Sequence, residues 1–262
     1  MVDHTYPPYT YDDDLIEAAR RDGQTRVRVY RITDTVVVLG SGSRPDVELN
    51  LDACEADSVP IFRRRGGGCA VVLDPGNVIV SVVATGQPFG RHRQQFDTLT
   101  AWLIDGLNRC GLPGVSQAGI CDLVLGDKKV GGACLHRARD LLYYSTTLLV
   151  EPDTEKIARY LQHPPREPEY RRGRRHGDFM GSLATLPTVG TNVELVARRL
   201  RRVLRPPDLQ PSASGYASAD QQPALIDPDA TQQDLDWAAA EVERLPTSVT
   251  GSENRRPGLV GV

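Results

Sequence analysis

The chain has 262 residues, of which 40% are hydrophobic and 25% charged, and its formal net charge at neutral pH is −3. This length and composition predict one large globular domain with a tail, and the charge balance argues against a general affinity for nucleic acid. No apolar run reaches about 18 residues, so no membrane-spanning helix is predicted. The five cysteines form no CxxC pair and follow no secretory signal, which favours reduced thiols and a cytoplasmic location.

Alternating strand and helix signals follow one another up to about residue 205. Residues 26–31 alternate in polarity and residues 35–40 form a β-branched run, so we predict two adjacent strands joined as a hairpin. Residues 96–110 place Phe, Leu and Cys side chains on one helical face, and Gly111 ends that helix. The remaining predicted elements are strands at 121–127 and 141–150 and a helix at 153–162. Together these elements favour an α+β fold.

The composition changes at residue 206. From there the chain is rich in Pro, Ser, Ala and Gln and poor in large apolar residues, which is typical of a linker or a disordered segment. Within it, residues 231–245 have the apolar spacing of one amphipathic helix. The sequence therefore predicts a folded domain over residues 1–205 and a polar tail over residues 206–262 that is too short for a second complete domain.

The first motif is "IFRRRGGGCAVVLDPGN" at residues 61–77, in which three consecutive arginines lead into three glycines. Peptide N–H groups of a glycine loop and guanidinium groups beside it are donors that proteins use to hold phosphate. An anion site is the functional interpretation, and a glycine turn beside solvated arginines is the structural alternative. A P-loop and an HExxH metal site are not candidates, because neither pattern occurs.

The second motif is "GDKKVGGAC" at residues 126–134, which again places cationic side chains beside glycines. With both motifs present, the chain resembles the lipoate-protein ligase A family of the biotin/lipoate ligase and octanoyltransferase superfamily. The family's arginine pair, glycine run, Ala-Val step and Asp-x-Gly-Asn turn match "RRRGGGCAVVLDPGN", and its motif lysine matches Lys129 rather than Lys128. The resemblance extends over about residues 12–205.

The resemblance implies a mixed-sheet α+β catalytic domain of the biotin/lipoate ligase type, which is similar to class II synthetases. It also implies that ATP with Mg²⁺ converts lipoate to lipoyl-AMP, and that the lipoyl group then passes to a lysine of a lipoyl domain. By position, Lys129 would contact both the acyl carbonyl and the phosphate, where a compact cation stabilises developing negative charge. The residues implied for ATP or lipoyl-AMP are Arg64, Gly67, Gly68, Cys69, Ala70, Val71, Val72, Asp122 and Lys129. Those implied for lipoate are Lys129, Val71, Val72 and Val82.

Several positions depart from the family pattern, namely Gly66, Cys69, Leu73, Cys121, Tyr144 and Ser145. Cys121 keeps open an octanoyltransferase that works through an acyl-cysteine. A ligase is favoured because the nucleophile of such transferases is expected near Gly114 or Gln117, and neither is a cysteine. A non-catalytic lipoyl-domain binding protein is a further alternative, and the presence of both Arg64 and Lys129 argues against it. A biotin ligase is disfavoured because its glycine-rich motif is different.

The partner implied by the resemblance is a lipoyl-domain acceptor, either glycine cleavage H-like or dehydrogenase E2-like. A separate chain that supplies an accessory domain is left open, and no nucleic-acid or membrane partner is expected. An arginine-rich face is expected to dock an acidic lipoyl domain through complementary charge, and a solvated arginine surface is the alternative. Its residues are Arg171, Arg172, Arg174 and Arg175, joined by Arg198, Arg199, Arg201 and Arg202.

Overall fold

The structure is a computed structural model that describes residues 6–85, 92–138, 140–186, 192–207, 209 and 259–260. It confirms the predicted α+β class. The strands are β1 (Arg26–Ile32), β2 (Val36–Leu39), β3 (Ile61–Arg63), β4 (Val71–Leu73), β5 (Asn77–Thr85), β6 (Val115–Ala118), β7 (Asp122–Leu125), β8 (Lys128–Ala138), β9 (Leu141–Leu149) and β10 (Leu259–Val260). The helices are α1 (Asp13–Asp22), α2 (Pro45–Glu48), α3 (Leu51–Ala56), α4 (His92–Arg109), α5 (Thr154–Tyr160), α6 (His176–Phe179) and α7 (Val193–Val203). Short 3-10 helices lie at Glu169–Arg171 and Leu183–Thr185.

Two sheets organise the described residues. The large sheet has the strand order β10-β1-β5-β9-β8-β7-β6, and each neighbouring pair in it is antiparallel. The small sheet has the order β3-β2-β4, with β2 parallel to β3 and antiparallel to β4. Helices α4 and α7 cover one face of the large sheet, while α1 and the small sheet pack against the other. Loops of the small sheet therefore face strands of the large sheet where the two sheets pack together.

The predicted hairpin between the first two strands is wrong. β1 pairs with β5 in the large sheet, whereas β2 is the central strand of the small sheet. All four residues of β2 are buried, and they alternate between two separate hydrophobic clusters. A strand that is covered on both faces fits a position inside a sheet between two cores better than a hairpin arm with one solvated face. The short turn after β1 therefore carries the chain from one sheet to the other.

The segment that holds the second motif is a strand, although the sequence analysis treated it as a connection between strands. β8 pairs with β9 along its length and with β7 through an irregular register at Leu123 and Val124. Glycines inside a strand weaken it in isolation. Here they permit close approach, because a Cβ on Gly131 would lie 2.9 Å from the carbonyl oxygen of Thr147 on β9. Tertiary pairing thus overrides the local preference.

The predicted amphipathic helix is confirmed as α4, which begins four residues earlier than expected. Its apolar side chains, Leu99, Leu103 and Leu107, are completely buried against the large sheet. α5 confirms the second predicted helix, and Asp153 caps it by accepting a hydrogen bond from the Lys156 backbone N–H at 3.0 Å. The helix predicted at residues 231–245 lies outside the described residues. No described helix has the length and apolarity needed to cross a membrane.

A buried carboxylate ties α1 to the large sheet. Asp12 is 2% exposed, and its Oδ2 accepts hydrogen bonds from Ser81 Oγ at 2.6 Å, the Tyr143 hydroxyl at 2.8 Å and the Tyr30 hydroxyl at 3.2 Å. Burial raises the pKa of Asp12 above its ordinary value, although these hydrogen bonds and Arg28 oppose the shift. The three hydroxyl donors come from three different strands, so this carboxylate fixes the N-terminal segment over β1, β5 and β9.

The turn between β4 and β5 gives a test of the fold. A Cβ on Gly76 would lie 1.8 Å from the backbone oxygen of Glu151, whose N–H donates to the Gly76 carbonyl oxygen at 2.9 Å. We expect Gly76→Ala to lower the free energy of unfolding by about 1–3 kcal/mol, because backbone must move to admit the methyl group. Gly177→Ala is the control, since nothing lies within 4 Å of its added Cβ. Urea denaturation of both variants measures the effect, and equal stabilities would contradict this account of the turn.

Candidate active site

The two sequence motifs lie on facing sheets. The glycine segment, defined as residues 64–70, connects β3 to β4 in the small sheet, and Lys129 lies near the start of β8 in the large one. The sheets meet at Gly66, where an added Cβ would be 2.9 Å from the Sγ of Cys134. A residue without a side chain allows this close approach of the segment to β8. The structure therefore brings both motifs to one cleft between the sheets.

Arg64 holds the glycine segment in its conformation. Its Nη2 donates to the carbonyl oxygens of Gly67 at 2.6 Å and Cys69 at 2.9 Å, and its Nη1 donates to that of Val38 at 3.1 Å. Its Nε also bonds the Gly67 oxygen, at 3.2 Å. These bonds direct the guanidinium at backbone carbonyl groups, so Arg64 is a structural clamp on the loop. The contact of Arg64 with nucleotide stays a prediction.

The neighbouring arginines, Arg63 and Arg65, also bind groups of the protein itself. Arg65 forms an ion pair with Asp13 on α1, with 2.9 Å between Nη2 and Oδ1. The Nη1 of Arg63 donates to three carbonyl oxygens of the loop after β2, those of Gly40, Ser41 and Ser43. The sequence analysis grouped the three arginines as anion ligands and did not anticipate that Arg63 binds this loop. The structural alternative, a turn beside arginines, is thus partly correct, except that Arg63 and Arg64 bind backbone carbonyl groups and Arg65 binds a carboxylate.

Glu48 is a second residue that the sequence analysis missed. It lies at the end of α2 and is 6% exposed. Its Oε2 accepts hydrogen bonds from the Ala70 backbone N–H at 2.5 Å and from Ser43 Oγ at 3.0 Å. The Ala70 N–H is therefore occupied by a carboxylate of the protein. No motif in the sequence marks Glu48, because its partner is 22 residues away on another loop.

Lys129 forms the central charged contact of the cleft. Its Nζ is 2.6 Å from Asp122 Oδ1, and Asp122 Oδ2 accepts a hydrogen bond from the Tyr170 hydroxyl at 2.7 Å. Burial is the largest single influence and lowers the pKa of Lys129, but the charge of Asp122, its hydrogen bond and the nearby Cys121 and Cys69 together outweigh it, so the pKa is raised overall. Lys129 is therefore charged at neutral pH. The Lys129 side chain lies over Gly132, where an added Cβ would be 3.1 Å from its Nζ, and Gly132 is two residues from Cys134, against which Gly66 of the glycine segment packs.

The floor of the cleft is a patch of small residues on the two inner strands β8 and β9. They are Gly132, Cys134, Ser145 and Thr147, which pair in register as Gly132 with Thr147 and Cys134 with Ser145. Paired residues of antiparallel strands point to the same side, so all four face the small sheet. Each is partly exposed although β8 and β9 have neighbours on both edges. Their partial exposure shows that the small sheet does not completely cover this part of β8 and β9.

The three valines expected to contact lipoate do not lie together. Val82 is 0% exposed and packs on the opposite face of the large sheet, with Leu99 of α4. Val71 and Val72 are adjacent on β4 and pack into different clusters of the small sheet. The structure thus places these residues in core packing, and their contact with an acyl chain remains a prediction.

Three half-buried cysteines surround the cleft, at positions 69, 121 and 134. Burial, followed by the nearby charge of Asp122, raises the pKa of Cys121 to about 12. Burial also raises the pKa values of Cys69 and Cys134. A thiol with such a pKa is almost entirely protonated at neutral pH, and the protonated form is a poor nucleophile. Cys121 in this conformation is not an activated nucleophile.

The arginine face expected to dock a partner is not one exposed surface. Arg171 is 3% exposed, and Arg174 is ion-paired with Asp127 at 2.9 Å. In α7, Arg199 and Arg201 donate to backbone carbonyl oxygens of the core layers. The exposed members are Arg172, Arg175, Arg198 and Arg202. The sequence suggested a solvated run because it does not reveal that the segment folds back onto itself through a short 3-10 helix and α6.

Metal ligands are sparse in the part of the chain that the structure describes. Within those residues, no group of three or more His, Cys, Asp or Glu side chains is arranged to hold a metal ion. Asp122 offers carboxylate oxygens to the cleft, and both are already engaged by Lys129 and Tyr170. A hard cation such as Mg²⁺ would therefore need most of its oxygen ligands from a bound phosphate.

Comparison with known proteins finds matches to lipoate-protein ligases. A family model for the lipoyl protein ligase A/B catalytic domain matches residues 5–205. A curated relative from Psychrobacter cryohalolentis, named lipoate-protein ligase A, is 32% identical over 139 residues, which are 52% of this chain and 38% of that protein. The chain spans about two fifths of the length of the curated relatives it matches, 43% and 38% in two cases.

Solved structures agree at the level of the fold. The crystal structure of a lipoate-protein ligase A bound with ATP superposes with a TM-score of 0.61 at 22% identity, covering 74% of this chain and 76% of that one. The Thermoplasma acidophilum bipartite lipoate protein ligase, studied with its E2 lipoyl domain, gives a TM-score of 0.62 at 22% identity and covers 74% of each chain. At this identity the likeness concerns the fold alone.

The raised pKa of Cys121 leads to a labelling prediction. In the folded protein at pH 8, iodoacetamide should modify Cys121 at least about a hundredfold more slowly than in the urea-unfolded chain, because so little thiolate is present. The rate should keep rising with pH towards the pKa of about 12. Peptide mass spectrometry of quenched time points measures both rates. If Cys121 reacts in the folded protein as fast as in the unfolded chain, its thiol is not buried with a raised pKa.

Proposed function

The chain belongs to the lipoyl protein ligase A/B catalytic-domain family, whose model matches residues 5–205, and on this premise we propose that it is an ATP-dependent lipoate-protein ligase. The observation that carries the proposal is the charged Lys129 held by Asp122 opposite the glycine segment. This arrangement gives a fixed cation beside the glycine segment and beside the patch of small residues on β8 and β9. Adenylate-forming chemistry needs such a cation where phosphate and acyl charge meet.

In the proposed first step, a carboxylate oxygen of lipoate attacks the α-phosphorus of ATP. The bond from that phosphorus to its bridging oxygen breaks, and pyrophosphate leaves with the electron pair, so that atoms and charge balance without a proton. Lys129 stabilises the negative charge that accumulates on the α-phosphate and on the mixed anhydride. Asp122 and Tyr170 keep the lysine in position, since the carboxylate binds both.

In the proposed second step, the amine of an acceptor lysine attacks the lipoyl carbonyl and AMP leaves, with one proton released to water. The acyl arm would lie along the floor formed by Gly132, Cys134, Ser145 and Thr147. We keep the predicted nucleotide-binding set, Arg64, Gly67, Gly68, Cys69, Ala70, Val71, Val72, Asp122 and Lys129, as part of the proposal. Two of them have modified roles, because Arg64 acts through the loop conformation and the Ala70 N–H is bound to Glu48. Mg²⁺ would be held mainly by the phosphate oxygens.

The proposed acceptor is a lipoyl domain of the glycine cleavage H-like or dehydrogenase E2-like kind. The Thermoplasma acidophilum ligase is described as bipartite and was studied with an E2 lipoyl domain. By analogy, we propose that this chain provides the catalytic half and that a separate chain supplies an accessory domain. A cytoplasmic location and the absence of a nucleic-acid partner belong to the same proposal.

Acyl transfer through Cys121 is the alternative mechanism, and its raised pKa argues against it. We expect lipoylation of an apo lipoyl domain to require ATP, and Cys121→Ser to retain activity within about twofold, because the thiol is not the nucleophile. Mass spectrometry of the acceptor, with and without ATP, measures the transfer. Consumption of octanoyl-carrier protein without ATP, abolished in Cys121→Ser, would refute the ligase mechanism.

Two adjacent lysines provide a matched test of the catalytic assignment. Lys129→Ala should lower the rate of lipoyl-AMP formation by at least about a hundredfold, because it removes the cation that stabilises the transition state. Lys128→Ala should stay within about threefold, since the Nζ of Lys128 donates to the Asp178 carbonyl oxygen. Pyrophosphate release in the presence of lipoate reports the rate. Equal losses in both variants would contradict the role of Lys129.

A further inference from the structure

Arg171 is a buried cation with an unused donor. It ends the 3-10 helix at Glu169–Arg171, is 3% exposed, and its guanidinium lies 4.7 Å from the centre of the Phe179 ring. Its Nε donates to the Arg174 carbonyl oxygen at 3.0 Å and is 3.4 Å from Glu167 Oε2. Its Nη2 is buried and has no hydrogen-bond partner within the described residues. Burying a donor of a charged group without a hydrogen-bond partner costs folding free energy. We therefore ask whether a ligand could accept from this donor.

The surroundings place Arg171 at the cleft already described. Burial lowers the pKa of Arg171, and the groups whose charges act on it include Cys69 of the glycine segment, Tyr170 and Asp122. Glu167 is the nearest carboxylate, but it also binds His163 Nε2 at 2.8 Å and the Gly173 N–H at 2.7 Å. The geometry agrees, because Tyr170, the neighbour of Arg171 in the chain, donates to Asp122 at 2.7 Å and Asp122 pairs with Lys129 at 2.6 Å.

His176 adds a second unsatisfied atom to this region. Its Nε2 lies 3.1 Å from the Gln162 carbonyl oxygen, which assigns the proton to Nε2, while its buried Nδ1 has no hydrogen-bond partner among the described residues. Burial and then the positive charges of Arg171 and Lys129, among other groups, lower the pKa of His176. Burial is the largest cause of this shift, and the contribution of Arg171 and Lys129 shows that both cations lie near the ring.

We propose that Arg171 is a further anion-binding residue of this cleft and holds the two phosphate groups of ATP that leave as pyrophosphate. The assignment rests on the proposed function. Lys129 has one ammonium group, which is shared with Asp122, and it serves the α-phosphate. The remaining phosphates carry most of the charge of ATP and need a second cation. A guanidinium is suited to them because it presents two parallel donors, and the Phe179 ring fixes its plane.

Binding of inorganic pyrophosphate tests the proposal, with AMP as the second ligand. We expect Arg171→Gln to weaken pyrophosphate binding at least about tenfold while AMP binding stays within about twofold, since only the outer phosphates lose a charged partner. Arg172→Gln is the matched control, because Arg172 is the exposed neighbour. Isothermal titration measures both ligands with the full chain, and the melting temperature of each ligand-free variant reports on folding.

If Arg171→Gln fails to fold, Arg171→Lys decides, because lysine keeps the charge and loses the paired donors. Selective weakening of pyrophosphate in either variant supports the proposal. Unchanged pyrophosphate affinity, or equal weakening of pyrophosphate and AMP, overturns it and leaves Arg171 a structural residue. A different result would refute the proposed function, namely that the wild-type protein binds pyrophosphate but forms no lipoyl-AMP from ATP and lipoate. Wild-type protein that binds no pyrophosphate overturns the assignment of Arg171.

Discussion

The close approach of the two sheets at the glycine segment is the constraint on which the site depends. A Cβ on Gly66 would lie 2.9 Å from Cys134 Sγ of the large sheet, and within the small sheet a Cβ on Gly40 would fall 1.8 Å from the carbonyl oxygen of Gly68. Such an approach leaves many backbone carbonyl groups with little water, and these must be hydrogen-bonded within the protein. Arg63 and Arg64 supply the donors, and Glu48 accepts from the Ala70 N–H of the segment. Arg63 and Arg64 of the first motif thus stabilise the conformation of the loop.

The same compactness explains the charge arrangement across the cleft. Lys129 is partly buried, and a lysine in that setting would lose its proton without a nearby carboxylate. Asp122 keeps it charged, and Tyr170 satisfies the second carboxylate oxygen, so that each member of the group has a partner. Arg171 differs, because one of its terminal nitrogens has no partner in the described region. A site that binds a polyanion must contain cations that are incompletely neutralised. In the proposed site, Lys129 is a cation held in place by Asp122, and Arg171 is a cation with one unpaired nitrogen.

The sequence was sufficient for features that depend on local patterns. The apolar spacing predicted helix α4, which the structure confirms, and the two glycine motifs lie close together, while the site that they were expected to share stays a prediction. It was insufficient where a distant residue decides the outcome. The exchange of β2 into the small sheet depends on β3 and β4, which follow it in the chain, and Tyr170 reaches Asp122 across 48 residues. Arg171 was expected on a docking face, with a solvated surface as the alternative, and only the fold places Phe179 beneath it.

The N-terminal segment has a consequence for how the protein matures. Tyr9 N–H donates to the Arg63 carbonyl oxygen at 2.8 Å, and the Arg63 N–H donates to that of Pro7 at 2.9 Å, so the first described residues flank the first motif. The other side of the cleft comes from Lys129 and Tyr170, more than a hundred residues later. During synthesis, the contacts of Pro7 and Tyr9 can form once Arg63 is present, whereas the other side of the cleft requires the chain up to Tyr170. Contacts of such long sequence separation slow folding, so the nascent chain depends on its helices and local hairpins until the cleft can close.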